Sequence, residues 1–271
     1  MILKIGHYVS STVCADEIGE SCNISGIIYD ALSGKPVEGA TVNARSGWNT
    51  FNGPYVTGSF GSSKEDISDT NGVFDIKAVH LGQYTVEIKK NGYVIGYFNM
   101  ISQRETDEAR QAVILTPELS DGEYRVVLTW GATPRDLDSH LTYYEGNTKK
   151  MHVYYGAKIG IVDGVKVAEL DLDDTSGYGP ETVTLTFKQD NFGNNEKFVY
   201  SVHNYSNDSD STSTALSQSG AIVRLYCGNN IAETFYVPAN KTGTVWKVFE
   251  MDQNGVHPIN SFYSASASGV R

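Results

Sequence analysis

The sequence predicts an all-β protein built as two tandem β-sandwich domains. Three observations carry this. First, glycine numbers 27 and tyrosine 17 while methionine numbers only 4; with many Thr and Val residues and few Leu-rich runs, this composition suits pleated strands and tight turns. Second, short segments of alternating apolar and polar residues recur, punctuated by Gly, Pro and Asn. Third, the length of 271 residues, at roughly 100–200 residues per domain, fits two domains.

The elements follow in chain order. Residues 1–21 are poorly patterned and are read as an N-terminal arm or an added strand. From Cys22 to Asp30 the sequence alternates. Ala31 to Pro36 is a turn and Val37 to Arg45 the next strand. Ser46 to Lys64 is a long Gly/Ser/Asn/aromatic loop. Asp69 to Gly72 turns into a strand over Val73 to Val79. Gln83 to Lys89, Tyr93 to Phe98 and Ala112 to Thr116 complete a first domain over residues 22–117. Strands with turns every 8–12 residues or so read as a sandwich.

These residues resemble the carboxypeptidase regulatory-like family. The resemblance rests on Gly26 to Asp30, Gly34 to Pro36, Gly39 to Val42, Asp69 to Phe74, Gly82 to Val86 and the Gly92-Tyr93 pair. It implies a seven-stranded, transthyretin-like sandwich and an accessory module without catalytic residues of its own.

A short polar linker, Thr116 to Glu123, leads to a second β-rich region over residues 121–253. Strands are expected at Tyr124 to Trp130, Leu137 to Tyr144, Met151 to Tyr155, Val165 to Asp173, Glu181 to Lys188, Glu196 to His203, Ala221 to Tyr226, Ala232 to Val237 and Thr244 to Glu250. Ser206 to Thr214 is a polar, low-complexity loop. Residues 254–271 end in small polar residues and are read as a C-terminal tail.

The formal charge is −11, which argues against nucleic-acid binding and against a basic membrane-facing surface. No run of 18 or so apolar residues exists, so no membrane-inserting helix is expected. The first residues lack the apolar core of a signal peptide; the expected setting is extracellular, cell-surface or on a virion, the last of which needs no signal. Cysteines stand at 14, 22 and 227. Either all three are incidental, or Cys14 and Cys22 close a short loop; Cys227 follows an alternating segment and should be buried and reduced.

The acidic excess lies in the second domain, with 11 basic and 18 acidic residues over 121–253. Asp136, Asp138 and His140 fall at period two, which puts them on one face of a strand. Asp171 and Asp173 repeat the alternation. His152 opens the next strand, His203 lies on another, and Glu181 adds a carboxylate. These eight residues are the candidate ligands of a divalent metal ion. The carboxylates favour calcium, which takes six to eight or so oxygens; the imidazoles favour zinc. A hydrogen-bonded Asp–His network and a simple solvated acidic face are the alternatives. Tyr143, Tyr155 and Tyr178 lie near the cluster in sequence and are candidate stacking contacts for a glycan, as are Tyr144 and Tyr154.

This second region resembles the YfaP-type bacterial family through Leu128 to Gly131, Pro134 to Leu141, His152 to Tyr155, Leu170 to Asp174, Gly177 to Thr182 and Val202 to Tyr205. The family implies an envelope or secreted role and no established activity. The leading functional reading is therefore a non-catalytic binding or accessory protein that recognises a glycan or protein. A structural subunit of a virion or filament, joined to neighbouring subunits through residues 1–21, is a second reading. A metal-dependent hydrolase using His140, His152 and His203, with Glu181 as base, is a third.

Overall fold

The computed structural model describes residues 22–57, 64–104, 111–208 and 210–270, and the chain divides into two compact units between Glu118 and Leu119. The arm expected at residues 1–21 lies outside the described residues. Both units are all-β.

The first unit carries β1 (Cys22–Asp30), β2 (Thr41–Ser46), β3 (Glu65–Ile67), β4 (Val73–Val79), β5 (Gln83–Lys89), β6 (Gly96–Ile101), β7 (Gln103–Arg104) and β8 (Gln111–Leu115). One sheet has the order β4-β1-β7 with β8 parallel to β1; the other runs β3-β2-β5-β6. Against the seven strands that the family resemblance implies, the additional one is the two-residue β7. Ile24, Ile28, Val42, Phe74, Val86, Ile88 and Leu115 fill the space between the sheets. Gly72 turns β4 back on β1 with φ +74°, and a Cβ there would sit 2.4 Å from the Ile28 carbonyl oxygen, so glycine is the residue this turn requires. Cys22 is disulfide-bonded.

A buried charge cluster stiffens the second of these sheets. Glu87 accepts a 3.0 Å bond from Arg45 Nη1 and further bonds from Tyr55 and Lys89. Burial raises its carboxyl, but the hydrogen bonds from Lys89, Tyr55, Arg45 and Tyr97 outweigh that and hold it down at about 2. Arg45 also reaches the Gly53 carbonyl (3.1 Å) and stacks on Tyr55, which ties the long loop after β2 to the sheet.

The second unit carries β9 (Tyr124–Thr129), β10 (Asp138–Glu145), β11 (Thr148–Val153), β12 (Ile159–Val162), β13 (Val165–Leu172), β14 (Glu181–Leu185), β15 (Glu196–His203), β16 (Ile222–Cys227), β17 (Asn230–Tyr236), β18 (Val245–Asp252) and β19 (Gly255–Tyr263). A five-stranded sheet, β11-β10-β15-β18-β19, faces a six-stranded one, β12-β13-β14-β9-β16-β17. Trp130, Trp246, Leu141, Phe198, Tyr200 and Phe249 are among the residues packed between them.

Three sequence expectations change here. Residues 254–271 are not a tail: β19 pairs along the length of β18, and Ala267 and Val270 are buried. Pro258 and the left-handed Asn260 (φ 51°) blur its alternation, while the Asn260 side chain accepts a 3.2 Å bond from the Trp246 indole. Strand β12 was unexpected; Asp163-Gly164, both left-handed, is the two-residue hairpin turn that marks it. Cys227 is a free thiol but only half-buried.

Two outcomes test this account. Chains ending at residue 118 and starting at residue 119 each fold when made separately, checked by circular dichroism and NMR; two unfolded fragments would mean a shared core. Glu87→Gln lowers first-domain stability at neutral pH. Because the folded carboxyl is held below its usual 4.5, its contribution is complete above that value and is lost as pH falls towards 2 or so. The gap in denaturant midpoint between wild type and variant therefore closes on acidification; a gap constant with pH would contradict the charge cluster.

Candidate metal centre

The site lies at one end of the second sandwich, where antiparallel pairing brings strand starts beside strand ends. Strand β10 begins where β15 ends, so Asp138 stands directly opposite His203. His140 follows two residues on, and His152 on β11 is opposite Thr142. Strand β14 begins where β13 ends, so Glu181 and Asp173 come from the facing sheet. Alternation puts Leu141 and Tyr143 in the core, while Asp138 and His140 take the other side.

Asp138, His140, His203 and Glu181 are nonetheless all buried, the last three with no exposed surface. His140 Nδ1 is 2.8 Å from His152 Nε2. His140 Nε2 has no hydrogen-bond partner. His203 Nδ1 is 3.4 Å from Asp138 Oδ2, and its Nε2 is 2.8 Å from Asp208 Oδ1 but out of line for a hydrogen bond. Glu181 Oε2 accepts the Ser139 amide, whereas Oε1 has no partner. Asp173 Oδ2 meets Lys158 Nζ at 2.8 Å and its Oδ1 is buried without a partner.

Two overlapping groups could hold an ion. Asp138, His140 and His203 offer ligand atoms within 4.8 Å of one another, and so do Asp138, Asp173 and Glu181. The electrostatics match this crowding. Burial, with His152 and His203 close by, pushes His140 well below the usual imidazole value. Burial and Lys149 lower His152 to about 4. Both rings are therefore neutral near pH 7 and carry a lone pair for a metal. Burial and the charges of Asp138 and Asp173 raise Asp136 to about 6. Burial and Asp138 push Glu181 well above the carboxylate range. Asp138 is raised by burial against the opposing pull of His203.

The remaining candidates divide. Asp136 precedes β10; its Oδ1 is buried without a partner, and its backbone is tied to Ser206. Asp171 is not drawn into either group. The register slips between Leu170 and Leu172, leaving Asp171 as an extra residue that re-phases the strand, and it accepts from Thr184 near Arg125 instead. His152 Nε2 meets His140 Nδ1, and it is Asp138 whose ligand atom lies within 4.8 Å of those of both His140 and His203. Tyr143 is not a ligand contact: at 2% exposure it packs against Phe187 and Phe198. Tyr155 and Tyr178 are exposed, at 37% and 48%. Tyr178 sits at φ +73° on a separate loop, its backbone bonded to Trp130 and Gly131.

The sequence reading gave no role to Tyr205, the last residue of the Val202 to Tyr205 motif, or to Asp208, which falls inside the expected polar loop. An aromatic file runs outward from the site: Tyr154 stacks on His140 (5.4 Å) and His152 (4.7 Å), Tyr155 meets Tyr154 edge-on, and Tyr205 meets Tyr155 at 5.5 Å. Tyr205 is 47% exposed.

Residues 23–116 match the model of the carboxypeptidase regulatory-like domain. No curated protein matches the chain. Among solved structures the chain is similar to the unknown function protein SAV2460, with 17% identity and TM-score 0.41 over 55% of this chain and 94% of that one. It is similar to the major pilin subunit of Bacillus cereus, with 12% identity and TM-score 0.29 over 90% and 86%. It is also similar to the Bacillus anthracis TIE protein, with 11% identity and TM-score 0.27 over 85% and 35%. The family-model match covers the part of the first unit whose turn motifs carry the resemblance.

The placement of Tyr143 is open to a direct check. Tyr143→Ala removes a buried ring and lowers stability by about 3–5 kcal/mol in denaturant unfolding. Tyr155→Ala, at the exposed end of the file, leaves the midpoint within about 0.5 kcal/mol. Equal costs would place both rings in the same environment.

Proposed function

We propose that this chain is a non-catalytic binding protein of an extracellular or surface setting, whose second domain recognises a carbohydrate through a divalent cation. Asp138, His140 and His203 hold the ion, and Tyr155 and Tyr205 form the contact face beside it. The single observation behind this reading is the orphaned Nε2 of His140, fully buried within reach of Asp138 and His203. Leaving a buried polar atom unpaired costs about 1–3 kcal/mol, and a cation removes that cost.

Two imidazoles with one carboxylate favour zinc or a similar transition metal over calcium at this group. The bond from His140 Nδ1 to His152 Nε2 stands where a ligating imidazole usually has a carboxylate, carbonyl or water, and like them it fixes the tautomer and the ring plane. Three protein ligands leave a fourth position of a tetrahedral ion for an outside oxygen. A sugar supplies such a hydroxyl together with an apolar ring face that suits tyrosine. The resemblance of residues 121–250 to the YfaP-type family fits an envelope or secreted role, and the first domain serves as an accessory spacer.

Melting curves and glycan binding test the reading together. Protein stripped with a chelator melts lower than the zinc-loaded form, by the stabilisation that any ligand of the folded state confers. His140→Ala melts at one temperature with or without zinc, and His152→Ala weakens zinc binding by about 10–100-fold. Glycan binding is lost on chelation and in Tyr205→Ala, whose melting is unchanged. A melting curve indifferent to chelator and zinc would return the site to a polar Asp–His network, and glycan binding that survives chelation would remove the metal from recognition.

A further inference from the structure

We infer that the centre takes two ions of different character, with Asp138 shared between them: a second, all-oxygen position formed by Asp138, Asp173 and Glu181 holds a hard divalent cation such as calcium. The inference rests on the imidazole-bound ion proposed above and extends it. The three carboxylates offer oxygens within 4.8 Å of one another, as a distinct group from Asp138, His140 and His203.

The carboxylates are not simply a solvated acidic face. Glu181 has no exposed surface and its Oε1 no partner, although its ligand atom is part of the group. Asp173 Oδ1 is likewise buried and unpartnered. The protein supports each residue from one side. The Ser139 amide holds Glu181 Oε2, Lys158 holds Asp173 Oδ2, and His203 Nδ1 lies beside Asp138 Oδ2. This leaves an oxygen of Glu181 and one of Asp173 with nothing to meet. Asp136 Oδ1 is a third buried, unpartnered oxygen, two residues before Asp138.

Among the described residues, Lys158 is the lysine paired with one of the three, and it is half-exposed. One ammonium on the rim does not offset three carboxylates drawn together in a low-dielectric interior, where like charges a few ångströms apart repel strongly. A divalent cation does. Oxygen-only ligation selects calcium or a similar hard ion, whereas the imidazole side selects zinc. A carboxylate has two oxygens, so Asp138 has the valence to serve both positions.

Metal counting on the full-length protein tests this. Chelator-stripped protein is titrated with zinc alone, with calcium alone and with both, and bound metal is read by mass spectrometry and calorimetry. The expected result is one zinc, one calcium, and two ions together. Glu181→Gln abolishes calcium binding and keeps zinc; His140→Ala does the reverse. Asp173→Asn, at a position less deeply buried than Glu181, weakens calcium by at least about tenfold and leaves zinc unchanged, and it decides the matter if Glu181→Gln does not fold. Zinc without calcium overturns the second position and leaves the first reading intact. Calcium lost in Asp173→Asn, without any zinc, supports the second position and overturns the first. Calcium retained by Asp173→Asn overturns the second position, and no metal at all overturns both.

Discussion

The register between β10 and β15 is the constraint on which the second domain depends. Asp138 opposite His203 and His140 opposite Ser201 are two rungs of one ladder. A slip of one residue would reverse every side chain of β10. Leu141 and Tyr143 would leave the core, and Asp138 and His140 would enter it among Trp130, Phe198 and Phe249. Core packing thus holds Asp138 and His140 in place: the apolar rungs on one face of the sheet fix the polar rungs on the other. The cost of crowding carboxylates and imidazoles at the sheet end is borne by hydrophobic burial a few residues away.

Two buried glutamates in the same chain show what distinguishes a structural charge from a site. Glu87 in the first domain is met by Arg45, Lys89, Tyr55 and Tyr97, and its carboxyl falls to about 2. Glu181 in the second receives one backbone amide and faces Asp138, and its carboxyl rises well above the ordinary range. Burial is common to both; the difference is the number of donors. A carboxylate saturated by donors is finished as a piece of structure. One left with an open oxygen beside other carboxylates is suited to an ion that brings the missing positive charge.

Much of this was legible in the sequence, and what was not has identifiable physical causes. Period two placed Asp138 and His140 on one face because β10 is regular. The same rule failed for Asp171 and Asp173 because a one-residue slip in β13 re-phases the strand, and nothing in Leu-Asp-Leu-Asp announces a bulge. Tyr143 was legible as a strand residue but not as a core residue, because alternation assigns faces without saying which one is inside. Tyr205 and Asp208 lie in an irregular segment where there is no period to read. The hairpin turns Asp163-Gly164 and Asn254-Gly255 did carry the signal for β12 and β19, but the short or interrupted alternation of those strands hid it.

The outermost strand of the five-stranded sheet has a further meaning for how the molecule behaves at high concentration. Strand β19 carries Pro258, which has no N–H to donate, and a left-handed Asn260 that breaks the pleat two residues later. An approaching chain meets an interrupted row of donors there and cannot extend the sheet continuously. The same asparagine is fastened to the indole of Trp246 in the interior, so the interruption is held in place by the core. Solubility at this edge is therefore a property of backbone shape as well as of surface charge, and changes that regularised the strand would remove a barrier to aggregation while leaving Asp138, His140 and His203 untouched.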